Sequence, residues 1–184
     1  MDPDIFGILG VKIMMNNAKL NARPISRLRR NHSLEHATIH VLSKKFPKLQ
    51  FGGMSTPLGF TIIGAVASED VAEAVVEALK RLRAGESDLA YHPNCGTNYA
   101  IPGLAAGIAA WLGSLGTDKK FKSHLERLPL MIFLATVALI LSRPLAPWVQ
   151  TNLTTAPHPD GLELDRVETF IRGGMHMHRV TTRG

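Results

Sequence analysis

The sequence predicts an α+β protein in three parts. A small helix–strand–strand–helix domain, residues 1–98, is followed by a two-helix transmembrane hairpin, 99–149, and a polar tail, 150–184. Three observations predict this order: apolar residues at helical spacing around a histidine-rich segment, two short β-branched segments around a turn, and two apolar runs in the second half.

Composition limits the kinds of partner that we expect. Apolar residues make up 45% and charged residues 20% of the chain, which excludes a disordered protein by composition. The net charge is +6, but no aromatic residues interleave with a basic stripe and no nucleic-acid-binding motif is present. We therefore expect no nucleic-acid partner, and membrane lipid with anionic headgroups fits the positive charge better.

The N-terminal half begins with a short apolar run, residues 4–15, which is too short to span a bilayer and predicts an interfacial or core-packed helix. A longer helix is predicted from near Ser26 to about Phe46, because Pro47 disfavours helical backbone in the residue before it.

Three functional side chains lie within this helix: His32, Glu35 and His36. Since each residue turns about 100° around a helix axis, His32 and His36 share one face and Glu35 lies beside them. Two imidazoles so placed can bind one metal ion, and a neighbouring carboxylate can take a proton from water. The order His-x-x-Glu-His is the inverted-zincin pattern; the alternative is the polar face of an ordinary helix.

The rest of the first domain follows from turn residues and periodicity. Residues 49–54 and 60–67 are predicted to be strands on either side of a turn that contains Pro57 and Gly59. The glycines at 52, 53, 59 and 64 would allow the backbone to approach a ligand closely, and the alternative is that they form turns and bulges. A second helix is predicted from Ser68 to Gly85.

Two apolar runs, Tyr99–Gly116 and Pro129–Leu141, predict the transmembrane hairpin, with residues 117–128 as the connection. Gly103 and Gly107 form a small-xxx-small pattern that predicts close helix packing. The alternative is a buried core hairpin of a soluble protein. In the tail, Leu162–Ile171 is a helical candidate. His176 and His178 would share one face if they lay in a strand, but we expect them to lie in an exposed chain end as reserve ligands.

A second motif, His92-Pro93-Asn94-Cys95-Gly96-Thr97, contains the single cysteine of the chain. Together with the His-x-x-Glu-His helix it resembles an uncharacterised family of bacterial membrane proteins described as predicted metal-dependent enzymes. In that family a His-Pro-Arg-Cys-Gly-Thr segment leads into transmembrane helices; here Asn94 replaces the arginine. The chain also resembles a smaller uncharacterised family, from photosynthetic and related bacteria, that has His-Ser-Leu-Glu-His-Ala and His-Pro-Asn-Cys-Gly-Thr-Asn. Both resemblances cover roughly residues 25–115.

The resemblance implies a metal site, and the residue types fit zinc or another divalent transition metal, which accepts nitrogen and thiolate ligands. His32 and His36 with His92, Cys95 or both fill three or four positions. With three ligands the site stays open to water, and Glu35 acts as general base. With four the site is closed and structural. For Cys95 alone, a small buried thiol is the alternative.

These interpretations predict a membrane-bound zinc-dependent hydrolase whose target is a peptide bond. The alternative class is a non-catalytic subunit, with a structural metal or none, that packs against other membrane-protein subunits.

The predicted location is the inner (plasma) membrane, crossed more than once. Positive residues flank both spans in nearly balanced numbers, so charge alone does not orient them. The lack of a basic, cleavable N-terminal segment and the free Cys95 favour a cytoplasmic metal domain. Both termini are then inside and the 117–128 connection is outside.

Overall fold

The computed structural model describes residues 23–116 and 121–184. The apolar run 4–15 lies outside the described residues. The helices are α1 (Arg23–Lys45), α2 (Ser68–Arg83), a 3-10 helix (Ser87–Ala90), α3 (Thr97–Ser114), α4 (Phe121–Ser142), α5 (Leu145–Val149) and a π-helix (Gln150–Thr154). The strands are β1 (Gly52–Thr56), β2 (Gly59–Ile63), β3 (Glu163–Arg172) and β4 (Met175–Arg183). The predicted α+β class is confirmed.

Helix α1 is the long helix that the sequence predicts, and it ends just before Pro47 as expected. Leu34, Ala37 and Leu42 are fully buried in the core that α1 forms with α2 and the sheet. Burial of this face stabilises the helix and fixes the side chains of the histidine motif on it.

The four strands form one antiparallel sheet in the order β1-β2-β4-β3. The two predicted strands are present, and β1 and β2 pair so that Thr56 lies opposite Gly59 across a two-residue turn. Gly59 has a φ of 149°, which favours glycine, and a Cβ there would overlap the carbonyl of Val180. The sheet therefore joins the first domain to the C-terminal segment.

The helix predicted at Leu162–Ile171 is wrong, because most of this segment is strand β3. Its apolar residues Leu164, Val167 and Phe170 stand three residues apart, which imitates helical spacing. Pairing with β4, interrupted by a bulge between Leu164 and Arg166, overrides that local pattern.

The expectation of an exposed chain end at His176 and His178 is also wrong in part. His178 is fully buried in β4, and its Nε2–H donates to the carbonyl of Gly64 while Nδ1 accepts from the hydroxyl of Thr169. His176 is exposed. The ring nitrogens of His178 are thus used in the structure of the sheet.

Helices α3 and α4 pack against each other, and their outer faces expose many apolar side chains, such as Leu104, Trp111 and Phe133. Helix α4 begins at Phe121, inside the predicted connection. Among the described residues, one helix, Lys122–Ser142, is long and apolar enough to cross a membrane. A two-helix transmembrane hairpin is therefore not confirmed.

The predicted close packing at Gly103 and Gly107 is wrong, since nothing lies within 4 Å of a Cβ built on either residue. The close approach occurs at Gly113 instead, where such a Cβ would lie 3.0 Å from Leu134 and 3.4 Å from the backbone of Met131.

Candidate metal centre

Three metal-ligand side chains come together from two distant parts of the chain. His32 and His36 project from α1, and Cys95 lies in the turn before α3. Their ligand atoms all lie within 4.8 Å of one another. Within the described residues, these three side chains can hold a metal ion.

Both histidines are oriented by hydrogen bonds on the ring side that faces away from the cluster. Nδ1–H of His36 donates to the carbonyl of Ala90 at 2.7 Å, and Nδ1–H of His32 donates to the carbonyl of Thr154 at 3.0 Å. A carbonyl only accepts, so these bonds place the proton on Nδ1 and leave Nε2 of each ring free as a ligand. This is the usual arrangement of support for metal-binding histidines.

A buried glutamine supports the ligand segment that contains Cys95. Gln150 is fully buried in the π-helix, and its Nε2 donates to the carbonyl of His92 at 3.2 Å. Its Oε1 lies 3.4 Å from Nδ2 of Asn98, which also donates to the carbonyls of His92 and Pro93. The π-helix after the hairpin therefore holds the turn that carries Cys95.

Glu35 faces the same space as the cluster. A cavity of about 450 Å³ is lined by Glu35 together with His32, His36 and Cys95. The hydroxyl of Ser55 in β1 donates to Oε2 of Glu35, and a Cβ on Gly53 would overlap its carboxylate. Burial raises the pKa of Glu35, although the hydrogen bond from Ser55 and the neighbouring histidines oppose that rise.

Cys95 and His32 form a polarised pair. Burial raises the pKa of the Cys95 thiol, but hydrogen bonds with His32, His36 and Thr97 outweigh it and lower the pKa to about 5. Burial lowers the pKa of His32, but the hydrogen bond and the charge of Cys95 outweigh it and raise the pKa. The metal-free site therefore carries a thiolate near neutral pH, and the thiolate is the metal-binding form of cysteine.

His92 lies beside the cluster and is not part of it. Its ring centroid is 5.7 Å from that of His36 and 5.1 Å from that of His40. Burial and the two neighbouring histidines lower the pKa of His92 to about 4, so the ring is neutral near pH 7. His92 lines the cavity, and its role as a ligand stays a prediction.

Sequence patterns did not indicate several residues of this site. The side-chain amide of Gln150 contacts the turn that contains Cys95. Thr154 and Ala90 contact the histidines through their backbone carbonyls, which any residue type can provide. Ser55 lies in β1, whereas the sequence predicted this residue to be in the turn that follows the strand. The glycines around residue 53 were the one available signal of a close approach, and Gly53 does make room for Glu35.

Comparison with known proteins places the chain in a family. Residues 27–167 match the model of a domain of unknown function, DUF6391, and the chain belongs to that family. It is 36% identical over 160 residues to an uncharacterised protein of Picosynechococcus sp. (strain ATCC 27264 / PCC 7002 / PR-6), an alignment that covers 79% of this chain and 74% of the relative. No solved structure matches the chain. These relatives do not support the resemblance to predicted metal-dependent enzymes.

Proposed function

We propose that this protein is a membrane-bound, zinc-dependent hydrolase. One observation carries the proposal: His32, His36 and Cys95 bring three ligand atoms within 4.8 Å, and Glu35 opens into the same cavity. Three ligands and one carboxylate are what an open catalytic zinc site of the inverted-zincin type requires.

The donor set fits zinc. The imidazoles of His32 and His36 and the thiolate of Cys95 would hold the zinc, which would act as a Lewis acid and make a water bound to it more acidic. The thiolate adds negative charge, which makes this effect weaker than with three neutral histidines. The carbonyls of Ala90 and Thr154 hold Nδ1 of His36 and of His32, which would leave both Nε2 atoms available to the ion.

Glu35 takes the proton of the attacking water in this proposal. Its carboxylate is buried, so its raised pKa makes it a stronger base than an exposed glutamate near neutral pH. Ser55 fixes the carboxylate by hydrogen bonding one oxygen, and Oε1 stays available to accept the proton.

The position of β1 favours a peptide as the substrate. Within the described part of the chain β1 pairs only with β2, so it is an edge strand, and Gly52–Ser55 line the cavity of the cluster. Alternate residues of an edge strand point their N–H and C=O groups outward, where an extended peptide can pair with them. A peptide bound there would run past Glu35 and the ligands.

The exposed apolar surface of α4 supports the membrane location. We place the protein in the inner (plasma) membrane with the metal domain in the cytoplasm, as the sequence predicts. The hairpin crosses the bilayer through α4 and its partner α3, whose exposed apolar residues continue the same surface.

A second candidate is a non-catalytic membrane subunit with a structural metal. The position of His92, with its ring 5.7 Å from that of His36, favours it, because a modest movement would add a fourth ligand and close the site. The two functions differ in whether water or a fourth side chain would complete the coordination of the zinc. X-ray absorption spectra, or optical spectra of the cobalt-substituted protein, would show which of the two is bound.

The test of hydrolysis compares zinc-loaded wild-type protein with Glu35→Gln on a library of fluorogenic peptides. The amide cannot accept the proton, so we expect at least about a hundredfold loss of rate, the usual contribution of a general base, with zinc retained. Glu77→Gln, on the exposed face of α2, is the matched control and should keep full activity. Release of zinc by Glu35→Gln would show that Glu35 is a ligand. No activity in the wild type on any peptide would contradict the proposal.

A further inference from the structure

The cavity that Glu35 shares with the three cluster side chains, called the metal cavity below, lies at one end of the helical hairpin. Gly96 and Thr97 line it at the start of α3. Leu153 and Thr154 line it in the π-helix, which continues directly from α5. Both connections between the hairpin and the α+β domain therefore form part of the wall of this cavity.

Exposed aromatic residues lie at the same end of the hairpin. Tyr99, in the first turn of α3, is 67% exposed, and Trp148, in α5, is 42% exposed. Since a helix rises about 1.5 Å per residue, Tyr99 is about 3 Å further along α3 than Thr97, which lines the cavity. Tyrosine and tryptophan are enriched at membrane–water interfaces. With the hairpin in the bilayer, as proposed above, the metal cavity lies at this interface.

Part of the wall of the metal cavity is apolar. Leu28 lies one helical turn before His32 on α1, and Leu153 directly precedes the residue whose carbonyl holds His32. Both leucines are half-buried, so a ligand can still remove apolar surface from water there. Among the described residues that line the cavity, the Asp, Glu, Lys and Arg side chains are Glu35 and Arg29, and Nη2 of Arg29 is held by backbone carbonyls. The wall therefore favours an apolar group over a charged one.

We propose that the substrate of this site is a membrane-inserted polypeptide, which is cut at the end of its own transmembrane segment and has a large apolar side chain beside the cleaved bond. That side chain packs against Leu28 and Leu153. The transmembrane segment lies along the exposed apolar faces of α3 and α4, where Leu104 and Ile140 are examples. This inference rests on the hydrolytic function and the membrane location proposed above.

The reaction itself is ordinary peptide hydrolysis. One water is added across the peptide bond: its hydroxyl joins the carbonyl carbon, the C–N bond breaks, and Glu35 passes the remaining proton to the leaving nitrogen. No oxidant, reductant or further reactant is required. What the location of the cavity adds is the choice of bond, because a bond held near the membrane surface reaches Glu35 and one held far from it does not.

The first test moves the cleavage site away from the membrane. The zinc-loaded full chain is placed in nanodiscs with a peptide that joins a randomised sequence to a transmembrane segment of about 20 apolar residues. A second peptide carries a spacer of about ten prolines between the two parts, which extends about 31 Å. We expect the spacer to slow cleavage at least about tenfold, since both peptides have the same membrane concentration but only one presents its bond at the interface. Mass spectrometry identifies the cleaved bonds.

A second test addresses the apolar wall. Leu153→Ala should raise KM for the cleaved transmembrane peptide about tenfold with little change in kcat, because it removes a contact made before the reaction. Leu145→Ala removes an exposed leucine of α5 that does not line the metal cavity, and it should leave KM unchanged.

A change in the substrate tests the same wall without altering the enzyme. Aspartate in place of the apolar residue beside the cleaved bond should lower kcat/KM of the wild type at least about tenfold.

Two outcomes would overturn this proposal alone: cleavage that Glu35→Gln abolishes but that is as fast with the proline spacer as without it, or cleaved bonds with no preference for a neighbouring apolar side chain. In either case the hydrolase would stand and its membrane substrate would not. No cleavage of any of these peptides by the wild type would contradict both this proposal and the hydrolytic function.

Discussion

Sγ of Cys95 lies 3.3 Å from Nε2 of His32, although 63 residues separate them in the chain. The contact joins the turn before α3 to the middle of α1, so the fold itself assembles the ligand set. A thiolate and an imidazole nitrogen at this separation are close enough to bind one ion after small adjustments, since zinc bonds to nitrogen and sulfur are about 2.0–2.3 Å long.

The first prediction concerns metal content. Purified protein should hold about one equivalent of zinc. His36→Ala should lower its zinc affinity by more than about tenfold, because loss of a residue that only supports a ligand already lowers affinity by about that factor. His176→Ala, which removes an exposed histidine of β4, is the matched control and should leave zinc content unchanged. Metal content is measured by mass spectrometry of the dialysed protein. Wild-type protein that is folded and takes up no added zinc would contradict the site.

The second prediction concerns the charge of Cys95 without metal. In chelator-treated protein we expect its pKa to be about 5, well below the value of about 8.5 for a free cysteine. The thiolate is present above that pKa, so alkylation by iodoacetamide should be fast at pH 7 and should slow as the pH falls through about 5. His32→Ala should move the midpoint upward, since it removes the hydrogen bond that stabilises the thiolate.

Zinc and denaturant supply the controls for this measurement. Bound zinc should protect Cys95 from alkylation, and unfolded protein should give a midpoint near the ordinary value of about 8.5. A midpoint near that value in the folded, metal-free protein would show that the pair does not form.

The third prediction concerns the space beside Glu35. A Cβ on Gly53 would overlap the Glu35 carboxylate, whereas nothing lies within 4 Å of a Cβ on Gly52. Gly53→Ala should therefore displace Glu35 from Ser55 and lower the free energy of unfolding by about 1.5–3 kcal/mol, the range for a hydrogen bond to a charged group. Gly52→Ala should change it by less than about 0.5 kcal/mol. Denaturation followed by circular dichroism in detergent measures both, and equal stabilities would refute this packing.

Part of this fold and site could be predicted from local patterns. The spacing of apolar residues indicated α1 and α2, and the order of histidines indicated two ligands on one helical face. The sequence could not show that β3 and β4 complete the sheet, because Leu164, Val167 and Phe170 have helical spacing and the pairing of Phe60 with Val180 joins distant segments.

The supporting groups of the metal centre were beyond prediction for a related reason. His36 is oriented by the carbonyl of Ala90 and His32 by that of Thr154, and any residue type can offer a backbone carbonyl. Only the three-dimensional path of the chain, which brings the 3-10 helix and the π-helix back to α1, places them there.

The last prediction concerns membrane topology. If α3 and α4 cross the bilayer as a hairpin and the metal domain is cytoplasmic, position 87 is inside and position 123 is outside. Ser87→Cys and Ser123→Cys test this in intact cells with a membrane-impermeant maleimide, and the wild type measures the background from Cys95, which is 8% exposed. Position 123 should be labelled in intact cells, and position 87 only after lysis. Labelling at 87 but not at 123 would reverse the orientation and place the metal centre outside. Equal labelling of both positions in intact cells would mean that the hairpin does not separate them across a bilayer, and the apolar faces of α3 and α4 would then have to be covered by protein.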